Sequence, residues 1–398
     1  MAVKHIVISA VEDCCGCNAC REICPQRCIE LRADKMGFAY PHVDADRCVD
    51  CGLCVRTCPF ANPDEPHLPE DCYAAVNSDD EQRMASSSGG IFVELARRAI
   101  SRGGIVFGAV FAKDWSVTHT YARTMAEVLP MMGSKYVQSN IGDTYSQCKR
   151  FLESGREVLY TGTPCQIAGL RHFLGKDYSG LLAVEVICHG VPAPAVWQSY
   201  LQSRIARCSD TPEIKGISFR SKLTGWKKYG FVINLSQSPD SSEVQHYEMS
   251  GKNDYMRAFL HDWSLRPSCY SCKSKGGAAK SDITIGDFWN IATAGILDDD
   301  DKGVSCIVCR TAKGVEAMGG LENIALTKSD YDTILRGNPS LEKSAANSKV
   351  AKLFKWMFVR RGFDATMRIM GLILLFRQAI RLPESLFKRL TARIRMLK

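Results

Sequence analysis

Between Arg83 and Ser340 the chain alternates short apolar runs with longer segments whose apolar positions recur every three to four residues. IFVELARRAI gathers its apolar side chains on one face of a helix, whereas GGIVFGAVF is a continuous apolar, β-branched run of strand length. The order then repeats through TYSQCKRFLESG (helix), REVLYTG (strand), QIAGLRHFLG (helix) and LLAVEVICHG (strand). Such alternation predicts an α/β body with a partly parallel sheet. Four later runs, GISFRSK, YGFVINLS, DITIGDF and GVSCIVCRT, read as further strands and make the expected sheet mixed.

The remaining text divides around that body. Residues 1–60 are dense in cysteine, and PFANPDEPHLPED then supplies four prolines and four acids with little apolar period. The expected organisation is an α+β domain over 1–60, a Pro/acidic linker or wrapping arm over 61–82, an α/β domain over 83–345 and a helical tail over 346–398. The formal charge of +8 sits in the tail: from Lys349 onward there are thirteen Lys or Arg against Asp364 and Glu384, so the rest is near neutral. This excludes a nucleic-acid-binding body and points to an anionic surface or acidic protein as the tail's partner. IMGLILLF has eight apolar residues, too few to span a bilayer. From Leu386 on, Leu386, Leu390, Ile394 and Leu397 share a helical face flanked by Lys388, Arg389, Arg393 and Arg395. That basic amphipathic helix suits peripheral contact with the inner membrane surface, or packing on the body or another subunit, a second copy included. MAVKHIVISAVED has no charged segment followed by an apolar one, so a cytoplasmic location is expected.

In a reducing compartment, clusters among the nineteen cysteines read as metal ligands rather than disulfides. Cys14, Cys17, Cys20 and Cys24 before Pro25, then Cys48, Cys51, Cys54 and Cys58 before Pro59, each fit the C-x2-C-x2-C-x3-C-P run of two-cluster ferredoxins. In that arrangement the fourth cysteine of each run crosses over. Cys14, Cys17, Cys20 and Cys58 are therefore assigned to one [4Fe-4S] cluster, and Cys48, Cys51, Cys54 and Cys24 to the other. The competing structure is a pair of zinc sites, which need only two cysteines per knuckle. Cys15 and Cys28 fall outside the pattern and read as small buried apolar residues. Cys165 and Cys188 each follow a strand, and strand ends on one sheet edge converge on a crevice. With the Cys269–Cys272 pair they could complete a third cluster, a zinc site being the alternative. Cys306 and Cys309 lie three apart on a strand, hence on opposite faces, and read as buried structural residues.

The ferredoxin-like segment followed by SSSGGIFVELA, GSKYVQS, VLYTGTPCQIAGLR, VICHGVPAP, FRSKLTGWKKYGF, RPSCYSC and SDITIGDFW resembles the coenzyme F420 hydrogenase/dehydrogenase beta subunit family, from about residue 10 to about residue 340. The resemblance implies an iron–sulfur flavoprotein carrying FAD, which passes electrons between clusters and a substrate or deazaflavin, and it also suggests the third cluster.

Flavin contacts are expected in two strand–turn–helix loops. Ser87, Ser88, Gly89 and Gly90 could hold a pyrophosphate at the start of the helix near Ile91, although serine-capped helices are common without a ligand. Gly162 and Thr163 open the helix that carries Cys165. Lys135 could face a phosphate or a reduced flavin, or be a solvated surface cation. No G-x-G-x-x-G follows a strand, so a Rossmann dinucleotide site is not expected. His189 and Asp287 are the candidates for proton transfer, with a cluster-sulfur donor and a turn or cap residue as their structural alternatives. Two functions follow: a reductase taking electrons from a ferredoxin or similar protein to a small-molecule acceptor, or a non-catalytic electron-transfer subunit of a larger complex. A metal-stabilised scaffold is a weaker third.

Overall fold

The computed structural model describes residues 5–208, 212–236 and 243–380, with side chains to residue 375. Thirteen strands occur among them: β1 (Ile29–Ala33), β2 (Ala39–Val43), β3 (Asp71–Asn77), β4 (Ile105–Phe111), β5 (Val117–Ala122), β6 (Val158–Gly162), β7 (Leu181–Val186), β8 (Glu213–Ser221), β9 (Gly230–Ser236), β10 (Val244–Met249), β11 (Ile283–Asp287), β12 (Ser305–Cys309) and β13 (Ile324–Ser329).

The cysteine-dense segment pairs β1 with β2 as an antiparallel hairpin and carries two four-residue helices, Ala19–Glu22 and Leu53–Arg56. Each helix begins after a residue in the left-handed region, Asn18 (φ 63°) and Gly52 (φ 73°), so the two halves share one backbone turn. Two such halves with a hairpin give the expected α+β ferredoxin-like domain.

The body is an eight-stranded mixed sheet in the order β13-β3-β12-β11-β7-β6-β4-β5. β4, β6, β7 and β11 pair in parallel, and β3 shares their direction because it is antiparallel to β12, which is antiparallel to β11. Helices cover both faces, which is why the central strands are apolar throughout: Ile105, Val106, Phe107, Val158, Leu159 and Tyr160 are all buried. The five parallel-running strands therefore deliver their carboxyl ends to one edge.

Two expectations need correction. The second half of the expected 61–82 linker is β3, held between β12 and β13, followed by a helix over Asp80–Ala85. DCYAAVN is short but half apolar, and its neighbour of high proline content hid it; only the first part, tied down by His67 N–H to Gly277 O at 3.1 Å and Asp64 to His172 at 2.7 Å, behaves as a wrapping arm. GISFRSK and YGFVINLS do not join the main sheet but form, with β10, a separate three-stranded antiparallel sheet. That sheet encloses an aromatic core of Trp197, Tyr200, Phe219, Phe231 and Tyr255.

The tail is helical from Lys349 to Ile380, interrupted at Gly362 (φ 72°, ψ −176°). Phe354, Met357, Phe358, Phe363, Met367 and Met370 are buried against the body, and the Asp364 carboxylate accepts from Ser203 at 2.7 Å and Arg207 at 3.0 Å. The amphipathic segment from Leu386 lies outside the described residues. No described helix is long and apolar enough to cross a membrane.

Candidate metal centres and the adjoining sheet edge

Cys14, Cys17, Cys20 and Cys58 line one cavity of about 380 Å³, and Cys24, Cys48, Cys51 and Cys54 line another of about 320 Å³. The structure thus brings together the two crossed-over sets. The crossing has a local cause: a four-residue helix separates the third cysteine of each run from the fourth and carries the latter to the other cavity. Burial, then repulsion from neighbouring thiols, pushes the Cys20 thiol up, and burial does the same at Cys54 and Cys58. Anionic sulfur would need a positive centre here. A tetrahedral ion at about 2.3 Å from each sulfur would draw the sulfurs to roughly 3.8 Å apart. Among the described residues, no three cysteines hold their sulfurs within 4.8 Å of one another; the one three-ligand group that does, His5, Cys48 and Asp50, has a single thiol. All-thiol sets with this wider spacing fit cubanes better than single ions.

Cys165 stands in the first turn of the Pro164–Leu174 helix, Cys188 follows β7, and Cys269 and Cys272 flank the short 3-10 turn Pro267–Ser271. Every pair among these four interacts electrostatically. Burial first, and the other thiols next, push Cys269 up to about 12 and Cys272 to about 11. The Val191 N–H donates to the Cys269 sulfur at 3.4 Å, as a backbone amide does to a cluster ligand. This third set fits the same kind of group. Cys15 is buried, and its thiol is hydrogen-bonded to both Cys17 and Cys165, so it links the first set to the third. Cys28 is buried 3.5 Å from the Cys24 sulfur. Cys306 and Cys309 are fully buried in cores on opposite faces of β12.

The expected flavin residues gather on the carboxyl edge, but several of their polar groups are engaged by protein. Ser87 Oγ accepts from Ser134 N–H at 2.7 Å, and Ser88 Oγ donates to Val304 O at 2.9 Å. Gly89 faces the sheet rather than the open edge: a Cβ there would lie 2.4 Å from Ala75 O. Gly90 (φ +84°) opens the Ile91–Ser101 helix without a side-chain cap, leaving that positive end to an anion. Thr163 caps the Pro164–Leu174 helix through a reciprocal box with Gln166, and Gly162 lies against the Gln166 side chain. Lys135 is not a surface cation: its ammonium donates to the carbonyls of Met131, Met132 and Gly133, and burial lowers it to about 7.

His189 Nε2 meets Asp262 Oδ1 at 2.5 Å, with Ser340 Oγ 3.4 Å from Nδ1. Asp287 is bound on both oxygens by Arg220 and by the Trp226 indole N–H. Sequence reasoning missed the groups around it. Arg220 lies 4.0 Å from the Tyr229 ring centre and 4.9 Å from that of Trp289, which stacks on Trp226. Lys222 donates to the carbonyls of Arg83, Ser88 and Lys302, and burial lowers it to about 7. The available signal was a sequence stretch, FRSKLTGWKKYGF, with cations and aromatics on alternate positions.

Residues 155–332 match the family described as the C terminus of the coenzyme F420 hydrogenase/dehydrogenase beta subunit, and residues 13–62 match the 4Fe-4S dicluster domain. The NADH-quinone oxidoreductase subunit I of Pelobacter propionicus is 35% identical over 81 residues, 17% of this chain and 44% of that protein, so the chain spans less than half of that relative's length. The structure of the F420-reducing [NiFe] hydrogenase complex from Methanosarcina barkeri contains a chain 18% identical, matched over 77% of this chain and 94% of its own at a TM-score of 0.42. The crossed cysteine octet within the dicluster match, followed by the long C-terminal match, makes the chain a member of the coenzyme F420 hydrogenase/dehydrogenase beta subunit family.

Proposed function

We propose that the chain is an iron–sulfur flavoprotein oxidoreductase that takes electrons from a ferredoxin or similar protein and delivers them to a small-molecule acceptor, a deazaflavin being one. The 83–345 unit would hold FAD on the carboxyl edge. The observation that carries this reading is the third thiol set, Cys165, Cys188, Cys269 and Cys272, joined to the first by the Cys15 thiol. When bound, clusters and flavin supply single-electron relay and its conversion to two-electron chemistry. The protein's part is placement: the Pro164–Leu174 helix carries Cys165 at its start and packs on Cys17 through Gly169. Lys135 and the uncapped Ile91–Ser101 helix offer positive charge to a phosphate. His189, oriented by Asp262 and adjacent to Cys188, is placed for proton exchange, whereas Asp287 is held by Arg220. One observation favours a non-catalytic electron-transfer subunit instead: Ser87, Ser88 and Lys135 all bond to protein.

Iron, sulfide, zinc and flavin content after oxygen-free purification tests the proposal. About twelve iron and one FAD per chain are expected, with about four iron lost in Cys269→Ser plus Cys272→Ser. About eight iron and no flavin would defeat the reductase reading.

A further inference from the structure

Arg266 is almost fully enclosed, at 1% exposure, yet no carboxylate lies within ion-pairing distance of it among the described residues. Every other fully buried arginine here has an acidic neighbour: Arg220 pairs with Asp287, and Arg310 lies 3.9 Å from Glu185. A buried cation without compensation costs several kcal/mol, about 3–5 where it has been measured by removing a partner. What surrounds Arg266 is neutral oxygen, aromatic rings and sulfur. Nε donates to Cys14 O at 2.7 Å, Nη1 to Gln138 Oε1 at 2.9 Å, and Nη2 to Ala39 O at 2.9 Å and to the Cys14 sulfur at 3.4 Å. Phe38 and Tyr40 lie beside its plane, with ring centres 5.3 and 4.4 Å away. The backbone of the same residue belongs to the third set, since Arg266 O accepts from Cys269 N–H at 2.9 Å. Its charge also acts on the thiols of Cys165 and Cys269. Gly16 (φ +74°) makes room, because a Cβ there would fall 2.8 Å from Arg266 Nη1.

We infer that Arg266 is the internal counter-ion of the Cys14/Cys17/Cys20/Cys58 cluster, and that it raises that cluster's reduction potential while fixing its loop against the third cysteine set. The inference rests on the cluster reading above. An all-thiolate cubane is a buried anion whose negative charge grows by one on reduction, and both net charge and hydrogen bonds to sulfur set its potential. A guanidinium bonded to a ligand sulfur favours the reduced state. Because the same residue holds Cys269 N–H through its carbonyl, it also keeps the first and third sets at a constant separation.

The test is an anaerobic titration with dithionite as electron donor, followed by the EPR signals of the reduced clusters, on wild type, Arg266→Lys and Arg266→Met. Removing the charge in Arg266→Met is expected to lower the reduced-to-oxidised ratio of one cluster at least tenfold at a fixed potential, a downward shift of about 59 mV for one electron. The other clusters should keep their potentials, and Arg266→Lys should recover most of the shift. If Arg266→Met sheds about four iron while Arg266→Lys keeps them, the charge requirement stands. Equal potentials in all three proteins, equal shifts in both variants, a shift spread over all clusters, or equal iron loss from both variants would overturn it. A wild type without acid-labile sulfide overturns the cluster reading itself.

Discussion

Arg220 grips Asp287 through both carboxylate oxygens, at 2.9 and 3.1 Å, and so ties β8 of the small sheet to the end of β11 in the large one. Trp226 adds an N–H at 2.8 Å. Nearby Asp287, Tyr136 and Tyr229 hold the guanidinium charged against its burial. Asp287→Asn leaves a buried guanidinium without its charge partner, and a loss of about 3–5 kcal/mol is expected. Thermal unfolding of the anaerobic protein measures it. A loss below about 1 kcal/mol would mean that the pair does not join the sheets.

Gly89→Ala is expected to destabilise by about 1–3 kcal/mol through overlap. The added methyl would meet Ala75 O at 2.4 Å and Ser305 N at 2.6 Å, both backbone atoms of paired strands that have nowhere to go. Gly251→Ala is the control, because its Cβ would have nothing within 4 Å. Equal denaturation midpoints for the two variants would remove the steric account and return Gly89 to a ligand-facing role.

The cysteine octet and the α/β alternation were legible because each rests on local spacing. Thiol spacing of two and three residues fixes which cysteines share a loop, and the apolar runs of β4, β6 and β7 are long enough to stand out. What was not legible depends on distant partners. β3 was hidden because its neighbours in the sheet, β12 and β13, lie more than two hundred residues away in sequence. Arg266 looks like any arginine before PSC; only the fold shows that it is buried against Cys14. Lys135 was read as either a phosphate ligand or a surface charge, and the structure gives it three backbone carbonyls instead, which no spacing rule could supply.

His119 gives the protein a built-in sensitivity to mild acid. Its Nε2–H donates to Thr161 O at 3.1 Å and its Nδ1 accepts from Ser139 Oγ at 2.9 Å, so the neutral ring is satisfied. Burial lowers it to about 4, from an ordinary value of 6.5. The unfolded chain binds this proton first, so its contribution is present above pH 6.5 and is lost as pH falls through 4. The slope in that window approaches about 1.4 kcal/mol per pH unit, for roughly 3 kcal/mol in all. His119→Gln should lose less stability than wild type between pH 7 and pH 5, by about 2 kcal/mol. Parallel losses in the two proteins would assign the acid sensitivity to other groups.

Gly169 puts the docking of the cluster domain on a single missing methyl group. In an exposed helix interior, glycine to alanine would stabilise by about 1 kcal/mol. Here the new Cβ would lie 2.8 Å from Cys17 Cβ, 3.0 Å from its sulfur and 2.9 Å from the Tyr145 hydroxyl. Tyr145 is itself held by Gln166 O at 2.7 Å, so neither neighbour is free to withdraw. The loop that carries Cys17 must give, and with it the set formed with Cys14, Cys20 and Cys58. Gly169→Ala is therefore expected to retain the far-ultraviolet dichroism of the body while losing about four iron per chain on gel filtration. Gly319→Ala, in a helix where nothing lies within 4 Å of the new Cβ, should keep its full complement. If Gly169→Ala also keeps all its iron with unchanged cluster spectra, then the first set does not depend on close packing against the Pro164–Leu174 helix, and the short route from Cys17 through Cys15 to Cys165 loses its structural support.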